Sequence, residues 1–321
     1  MISIVMIVYK VEQYVRQSIE SVLNQTYKDI ELIIVASDGG DKSVEICREY
    51  AAKDPRIKLI ETPPKGEPDA RNHGLAAVTG DYLGFVDSDD FVEPQMFESL
   101  LANIEKYDAD IAVCGKFFEF KNTAVASNPQ DPVVLSAEEA LAVTLGHDGF
   151  FLHCWDKLYT RKIFDGLTFD PKILVEDRIV VDKLLSKADR IVYDAKPMYH
   201  FRQRYGSGSK RAGIVKMNME SNRMMEEFIK SNHPALSDKC DNFILYEYVT
   251  AMQNELVSEK PNAEDIAAYR EMIKQYSGRK NPLRSKSLKI KSFMALHTPG
   301  ILKEYTKRRQ MSMAQQMEKY P

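Results

Sequence analysis

Residues 82–90 read Tyr82-Leu83-Gly84-Phe85-Val86-Asp87-Ser88-Asp89-Asp90, an apolar run that ends in three carboxylates and a serine. A buried strand that opens at its carboxyl end onto a ligand crevice has this pattern. In extended backbone, alternate side chains share a side, so Asp87 and Asp89 point the same way. Two hard oxygen ligands on rigid backbone suit Mg²⁺ or Mn²⁺, which keeps water and takes further ligands from phosphates. The plainer reading is a solvated acidic turn that caps the next helix.

Upstream, the chain alternates between two periodicities. Short apolar runs at 3–8, 30–36 and 57–60 read as strands, and 82–86 is the fourth. Between them, Val11, Tyr14, Val15, Ile19, Val22 and Leu23 recur at helical spacing, Ser43 is placed to cap a helix to 50, and 70–78 reads as a helix ended by Gly80. Downstream, Pro94 sits in the first turn of a helix facing inward with Phe97, Leu100, Leu101 and Ile104, and 109–115 is a fifth strand. This alternation predicts an α/β fold with a parallel, doubly wound sheet whose strands end along one edge. Beyond Lys116 the alternation fails. Residues 122–131 read as a polar loop, Ser136 starts a helix with Glu138 and Glu139 in its first turn, and from 214 the chain is helical.

Four polar clusters follow the first four strands: Tyr9, Lys10 and Glu12; Ser37 to Asp41; Pro63 to Gly66 with Asp69 to Asn72; and Asp87 to Asp90. Their convergence on one edge is stronger evidence for a site than any cluster alone, and Arg71 then stands ready to pair with a phosphate. Further along, Glu176 and Asp177 open a helical pattern. They either favour the helix dipole or supply a general base. His200 is a candidate third metal ligand, and Arg204 and Ser207, in a flexible basic loop, are candidates to touch a diphosphate; an ordinary strand and turn is the competing reading. Trp155, Lys157 and Tyr159 either line an acceptor site or pack in the core.

Composition sets the bounds. The 321 residues are 44% hydrophobic and 28% charged, ordinary for a soluble protein of about two domains at about 150 residues each. Four scattered cysteines form no C-x-x-C pair and suit the cytosol. The apolar start, 1–9, is too short for a signal peptide, and no stretch approaches the roughly 20 apolar residues of a membrane span. The net charge of −3 gives no nucleic-acid signature. Its distribution is uneven: residues 279–309 hold ten Lys and Arg against Glu304 alone, a local +9, so residues 1–278 carry −12. Apolar residues lie among these bases, which predicts either an interfacial helix on anionic lipid or a helical subdomain that packs or dimerises. The sequence holds no P-loop, no G-x-G-x-x-G, no H-E-x-x-H and no G-x-S-x-G, and Phe91 and Val92 rule out an EF-hand at 87–92.

The motifs V-Y-K-V-E (8–12), L-N-Q-T-Y-K-D-I-E (23–31), A-R-N-H-G-L (70–75), G-F-V-D-S-D-D (84–90), W-D-K-L-Y (155–159) and V-E-D-R (175–178) follow one another in an order that resembles the family 2 glycosyltransferases. These are inverting enzymes of the GT-A fold, and the likeness is to bacterial members that build capsule, O-antigen or related surface glycans. The resemblance covers residues 1 to about 210. It implies a catalytic domain over 1–213, with a nucleotide-sugar half at 1–115 and an acceptor half at 116–213, followed by a helical region at 214–321. It implies a UDP-sugar donor, a glycan or lipid-linked acceptor, and Mn²⁺ or Mg²⁺ at Asp87-Ser88-Asp89 with Asp89 the direct ligand. Asp177, beside Glu176, falls on the family's catalytic base, Tyr9 and the loop after the second strand on the uracil site, and Arg71 on the pyrophosphate side. A cytoplasmic enzyme, peripheral at the inner face of the plasma membrane and a candidate homodimer, is expected. Two departures stand out. Lys10 replaces the usual Asn, and Ser37 stands where the base-reading Asp normally does, so either Asp38 substitutes for it or nucleotide recognition is altered. A binding module that has lost catalysis and an Asp-x-Asp phosphohydrolase are the competing functions.

Overall fold

The computed structural model describes residues 1–120, 123–128, 130–146, 152–171, 176–203 and 214–319. Contacts divide the chain into two compact units, one of Met1–Thr144 with Gly149–Ser221 and the other of Leu145–Asp148 with Asn222–Pro321.

The first unit is built on one sheet. Strands β1 (Ile2–Val8), β2 (Ile30–Ser37), β3 (Ile57–Thr62) and β4 (Tyr82–Phe85) pair in parallel in the order β3-β2-β1-β4. Helices α1 (Val15–Leu23), α2 (Ser43–Ala51) and α3 (Glu67–Ala76) connect them. Ile2, Ile4, Met6, Leu32, Ile33 and Ile34 are fully buried, which explains why these strands read as continuous apolar runs. The close seat of α3 on β1 needs Gly74, because a Cβ there would lie 2.5 Å from Val5 Cγ1.

Past β4 come β5 (Phe91–Val92), α4 (Met96–Tyr107), β6 (Ile111–Phe120), β7 (Thr123–Ala126), β8 (Val133–Leu135), α5 (Ala137–Thr144), β9 (Lys157–Thr160), α6 (Glu176–Lys187) and β10 (Ile191–Arg202). The order continues β4-β9-β6-β10-β5. The central strands are mainly parallel, as the pattern predicts, and β6 and β10 are parallel to each other. Between β4 and β6, β9 reverses and runs antiparallel to both, and the short strands β5, β7 and β8 pair antiparallel on β10, β6 and β10.

Two local expectations are corrected. The polar segment expected as a loop contains β7, which folds back antiparallel on β6; its small, largely exposed residues carry no buried face to announce a strand. Ser43 does not cap α2. Its hydroxyl accepts from the Val11 N–H at 2.9 Å and donates to Asp41 Oδ2 at 2.8 Å, fastening the first loop to the second. The helix start at Ser136 is found as expected, with Glu139 Oε2 accepting from the Ser136 N–H at 2.9 Å.

The second unit is helical: α7 (Ile214–Asn232), whose first residues belong to the first unit, then α8 (Ser237–Val257), α9 (Ala263–Ser277), α10 (Lys286–His297) and α11 (Pro299–Lys319). Pro261 and Asn281-Pro282 mark breaks, and Asn262 caps α9 by accepting from the Glu264 N–H at 2.9 Å. Ile244, Leu245, Tyr248, Met252 and Ile273 form the interior. Beside them Arg279 bridges Glu226 and Asp241 at 2.5 and 2.7 Å. No described helix is long and apolar enough to cross a membrane.

Candidate active site

The carboxyl ends of β1 to β4 do gather their loops. Glu12 Oε2 accepts from the Lys42 N–H at 3.0 Å and the Glu12 N–H donates to Asp41 Oδ2 at 3.1 Å, which ties the loop after β1 to the loop after β2. Tyr9 is 44% exposed beside Lys10, whose ammonium lies 5.2 Å from the Tyr9 ring. Lys10 adopts φ 54° and its stem crosses Gly39 so closely that a Cβ at Gly39 would lie 2.3 Å from Lys10 Cγ. Ser37 is buried and shares a hydrogen bond of 3.1 Å with Thr62 of β3. Asp38 is exposed, and its carboxylate accepts from the Gly40 N–H at 2.8 Å.

At the end of β4 the acidic loop is held from behind. Asp90, only 2% exposed, accepts from Tyr199 Oη at 3.0 Å and from the Arg202 N–H at 2.8 Å. Tyr199 Oη in turn accepts from the Asp87 N–H at 3.1 Å, and Arg202 donates to the Asp89 carbonyl at 2.5 Å. Ser88 is buried. Ser18 of α1 adds a second hold, its hydroxyl donating to the Asp87 carbonyl at 3.2 Å, and Asp87 and Asp89 stay half-buried. Burial pushes the Asp87 carboxyl up to about 7, with Arg71 opposing and Asp89, Glu67 and Asp177 adding to the rise. Two carboxylates that repel each other and offer hard oxygen donors fit a divalent cation. Among the described residues no set of three His, Cys, Asp or Glu side chains forms a metal cage. A pair completed by phosphate oxygens and water needs none.

Arg71, on α3, is 6% exposed and lies 3.8 Å from Asp87 Oδ1. Burial works against its charge, and Asp177 and Asp87 more than restore it. Its guanidinium lies 5.6 Å from the Phe169 ring. Asn72 fixes that ring's backbone, donating to the Phe169 carbonyl at 2.7 Å and accepting from its N–H at 2.9 Å. The adjacent residues Arg71 and Asn72 thus form one device, the second holding the surface against which the first lies.

Asp177, in the first turn of α6, faces His153 Nδ1 at 3.4 Å and accepts from the Arg178 N–H at 3.0 Å. Burial would raise its carboxyl, but the His153 hydrogen bond and charge, with Arg71, bring it down to about 2. His153 stacks on Trp155 at 5.1 Å, and Trp155 on Tyr199 at 4.2 Å. A stack of three rings therefore runs from Asp177 to the acidic loop.

A sequence profile described as "Glycosyl transferase family 2" matches residues 3–168. The chain belongs to glycosyl transferase family 2. Glycosyltransferase GlyA of Streptococcus pneumoniae serotype 4 is 36% identical over 219 residues, 65% of this chain and 31% of that protein. EpsJ of Bacillus subtilis (strain 168), described as an uncharacterized glycosyltransferase, is 33% identical over 210 residues, 63% of this chain and 61% of its own length. The chain thus spans less than two thirds of either relative. The fold is that of the GT-A structure of S. aureus TarS residues 1–349 in complex with UDP-GlcNAc, with a TM-score of 0.69 at 17% identity over 100% of this chain and 93% of that one.

Asp87, Asp89, Arg71 and Asp177 come together electrostatically. His200 does not join them. Its Nδ1 is 2.6 Å from Glu119 and its Nε2 2.8 Å from Glu93, and the ring lies stacked between Phe91 and Phe117. With both nitrogens taken, this ring is not a third metal ligand in this conformation; it pins β5, β6 and β10 together. Arg204, Ser207 and the side chain of Glu176 lie outside the described residues. Sequence reasoning missed His153, Tyr199 and Asp90 as partners of the site. Asp90, a third carboxylate straight after the pair, was the one legible signal. Lys157 and Tyr159 are core, fully buried, and Trp155 is 3% exposed.

Proposed function

We propose that the chain is an inverting glycosyltransferase that moves a sugar from a UDP-sugar to a hydroxyl of a glycan or lipid-linked acceptor, in the synthesis of a bacterial surface polysaccharide. Residues 1–213 are assigned the chemistry. The observation that carries this reading is the position of Arg71 between two carboxylates of opposite character: Asp87, raised to about 7, and Asp177, lowered to about 2. Groups whose surroundings push them apart in this way serve different steps.

Asp177, ionised throughout the neutral range, accepts the proton of the acceptor hydroxyl as that oxygen attacks the anomeric carbon from the face opposite the nucleotide. His153 holds the carboxylate in place. Arg71 faces the diphosphate and offsets charge that develops on the leaving nucleotide. Asp87 and Asp89 would hold Mn²⁺ or Mg²⁺, which when bound supplies further charge to that leaving group. Tyr9 offers an exposed ring for the base, with Glu12, Ser37, Asp38 and Ser88 around the nucleotide side. The UDP and UDP-GlcNAc complexes of TarS support a uridine nucleotide, and Ser37, bonded to Thr62, is the position where this chain's base recognition differs.

Calorimetry of UDP binding with and without Mn²⁺, comparing wild type with Asp89→Ala, tests the donor site. Metal-dependent binding lost in the variant supports it. Absence of UDP binding alongside binding of GDP, CMP or dTDP would reassign the base. Asp177→Asn should abolish transfer while nucleotide affinity stays near wild type; near-normal turnover removes Asp177 from the mechanism.

A further inference from the structure

Within the helical unit, α10 has two apolar sides. Leu288, Ser292 and Ala295 are buried. Ile290 and Phe293 are 60% and 59% exposed. At about 100° per residue, Lys286, Ile290, Phe293 and His297 fall in one stripe opposite the buried one. The Phe293 and His297 rings lie 4.6 Å apart. In α11, Leu302 and Thr306 are buried, while Ile301, 60% exposed, Tyr305 and Arg308 recur at helical spacing on another side.

Among the described residues, the charge on this segment is mostly free of the unit's own acids. Of its ten bases, Arg279 is held by Glu226 and Asp241, and Arg284 is buried on the carbonyls of Tyr276 and Ser277. Lys280, Lys286, Lys289, Lys307, Arg308 and Arg309 are exposed, and Glu304, 3.5 Å from Lys307, is the single acid among them.

We propose that the outer face of α10 and the start of α11 docks on an anionic phospholipid surface. Aliphatic and aromatic side chains on the solvent side of an already packed helix gain by entering an acyl boundary, and lysines flanking them match phosphate headgroups at its rim. A two-fold contact between copies would instead bring two +9 segments together. Docking of this kind needs no catalytic residue and is read without donor or acceptor, so its failure leaves the transferase reading untouched.

The experiment is co-sedimentation of the full chain with phosphatidylglycerol/phosphatidylcholine vesicles and with phosphatidylcholine vesicles alone, at low and high salt. Binding to the anionic vesicles that weakens as salt rises is expected. Ile290→Glu combined with Phe293→Glu should lower the partition coefficient about tenfold or more, as should Lys286→Glu combined with Lys289→Glu. Both pairs sit at exposed positions, and an unchanged circular dichroism spectrum and melting curve verifies their folding. No binding to anionic vesicles at low salt overturns the proposal. So does wild-type binding by the Ile290/Phe293 variant, or a dimer in light scattering that this variant converts to monomer.

Discussion

Tyr199 Oη donates to Asp90 Oδ2 at 3.0 Å and accepts from the Asp87 N–H at 3.1 Å, so one phenol on β10 holds both ends of the acidic loop that follows β4. The loop's shape is therefore set by a strand more than a hundred residues away. Tyr199→Phe keeps the ring and its stack on Trp155 and removes only this link. It leaves the buried Asp90 short of a donor, at a cost of about 1–3 kcal/mol. A lowered melting temperature and a several-fold weaker metal-dependent UDP affinity are expected. Unchanged affinity would mean that the loop keeps its shape without the phenol.

The pairing of His153 with Asp177 makes a prediction in pH. Asp177 lies at about 2, so it is ionised across the range of any practical assay and produces no acid limb of its own. Without His153, two of the main influences against burial are gone, leaving Arg71 and the Arg178 N–H among those that remain, and the carboxyl moves up. His153→Leu should therefore lower kcat and bring into the kcat profile an acid limb from Asp177 that wild type lacks. A profile parallel to wild type would deny His153 its hold on the carboxylate.

The parallel half of the sheet was legible because buried strands such as β1 and β2 are nearly pure aliphatic, and the Asp87-Ser88-Asp89 pair because polar residues at a strand's end have nothing to pack against. The reversal at β9 was not. A four-residue strand shows no period, and this one begins with Lys157, a residue that reads as surface yet is fully buried because Asp156 neutralises it. The role of His200 was misjudged because sequence places a histidine near the metal loop without saying where its nitrogens point; Glu93 and Glu119, 107 and 81 residues away along the chain, decide that. His153 gave no signal at all, since its partner lies 24 residues on.

Asp182, on α6, is 1% exposed, and neither carboxylate oxygen has a hydrogen-bond partner among the described residues. Burial pushes its carboxyl up to about 7, with Arg178 opposing. A folded value above the unfolded one, about 3.9, means that the stability this group gives is fully present at acid pH. It is lost as pH rises from about 4 through 7. Asp182→Asn removes the titration, so stability measured by urea unfolding should fall less between pH 5 and pH 8 in the variant, by on the order of 1–3 kcal/mol. Equal pH slopes in the two proteins would mean that the carboxylate finds a partner.

The W-D-K motif holds a buried charge cluster. Asp156 pairs with Lys157 at close range and with Lys116 at 3.7 Å, all three within 4% of full burial. Lys157 also donates to the His153 carbonyl at 2.7 Å, so the cluster supports the histidine that holds Asp177. Burial pulls Lys116 down to about 8, against the attraction of Asp156. Removing one member of a buried pair costs about 3–5 kcal/mol, because the partner's charge stays behind. Lys157→Met should fall at the lower end of that range, since Lys116 remains to face Asp156. It should also cost activity beyond the loss of folded protein, through His153. Asp156→Asn, which leaves two buried lysines facing each other, should lower the melting temperature more as pH falls and Lys116 is forced to take up its proton. If Lys157→Met melts like wild type, the cluster carries no stability. If it melts lower but the folded fraction turns over normally, the cluster supports the sheet and not the site.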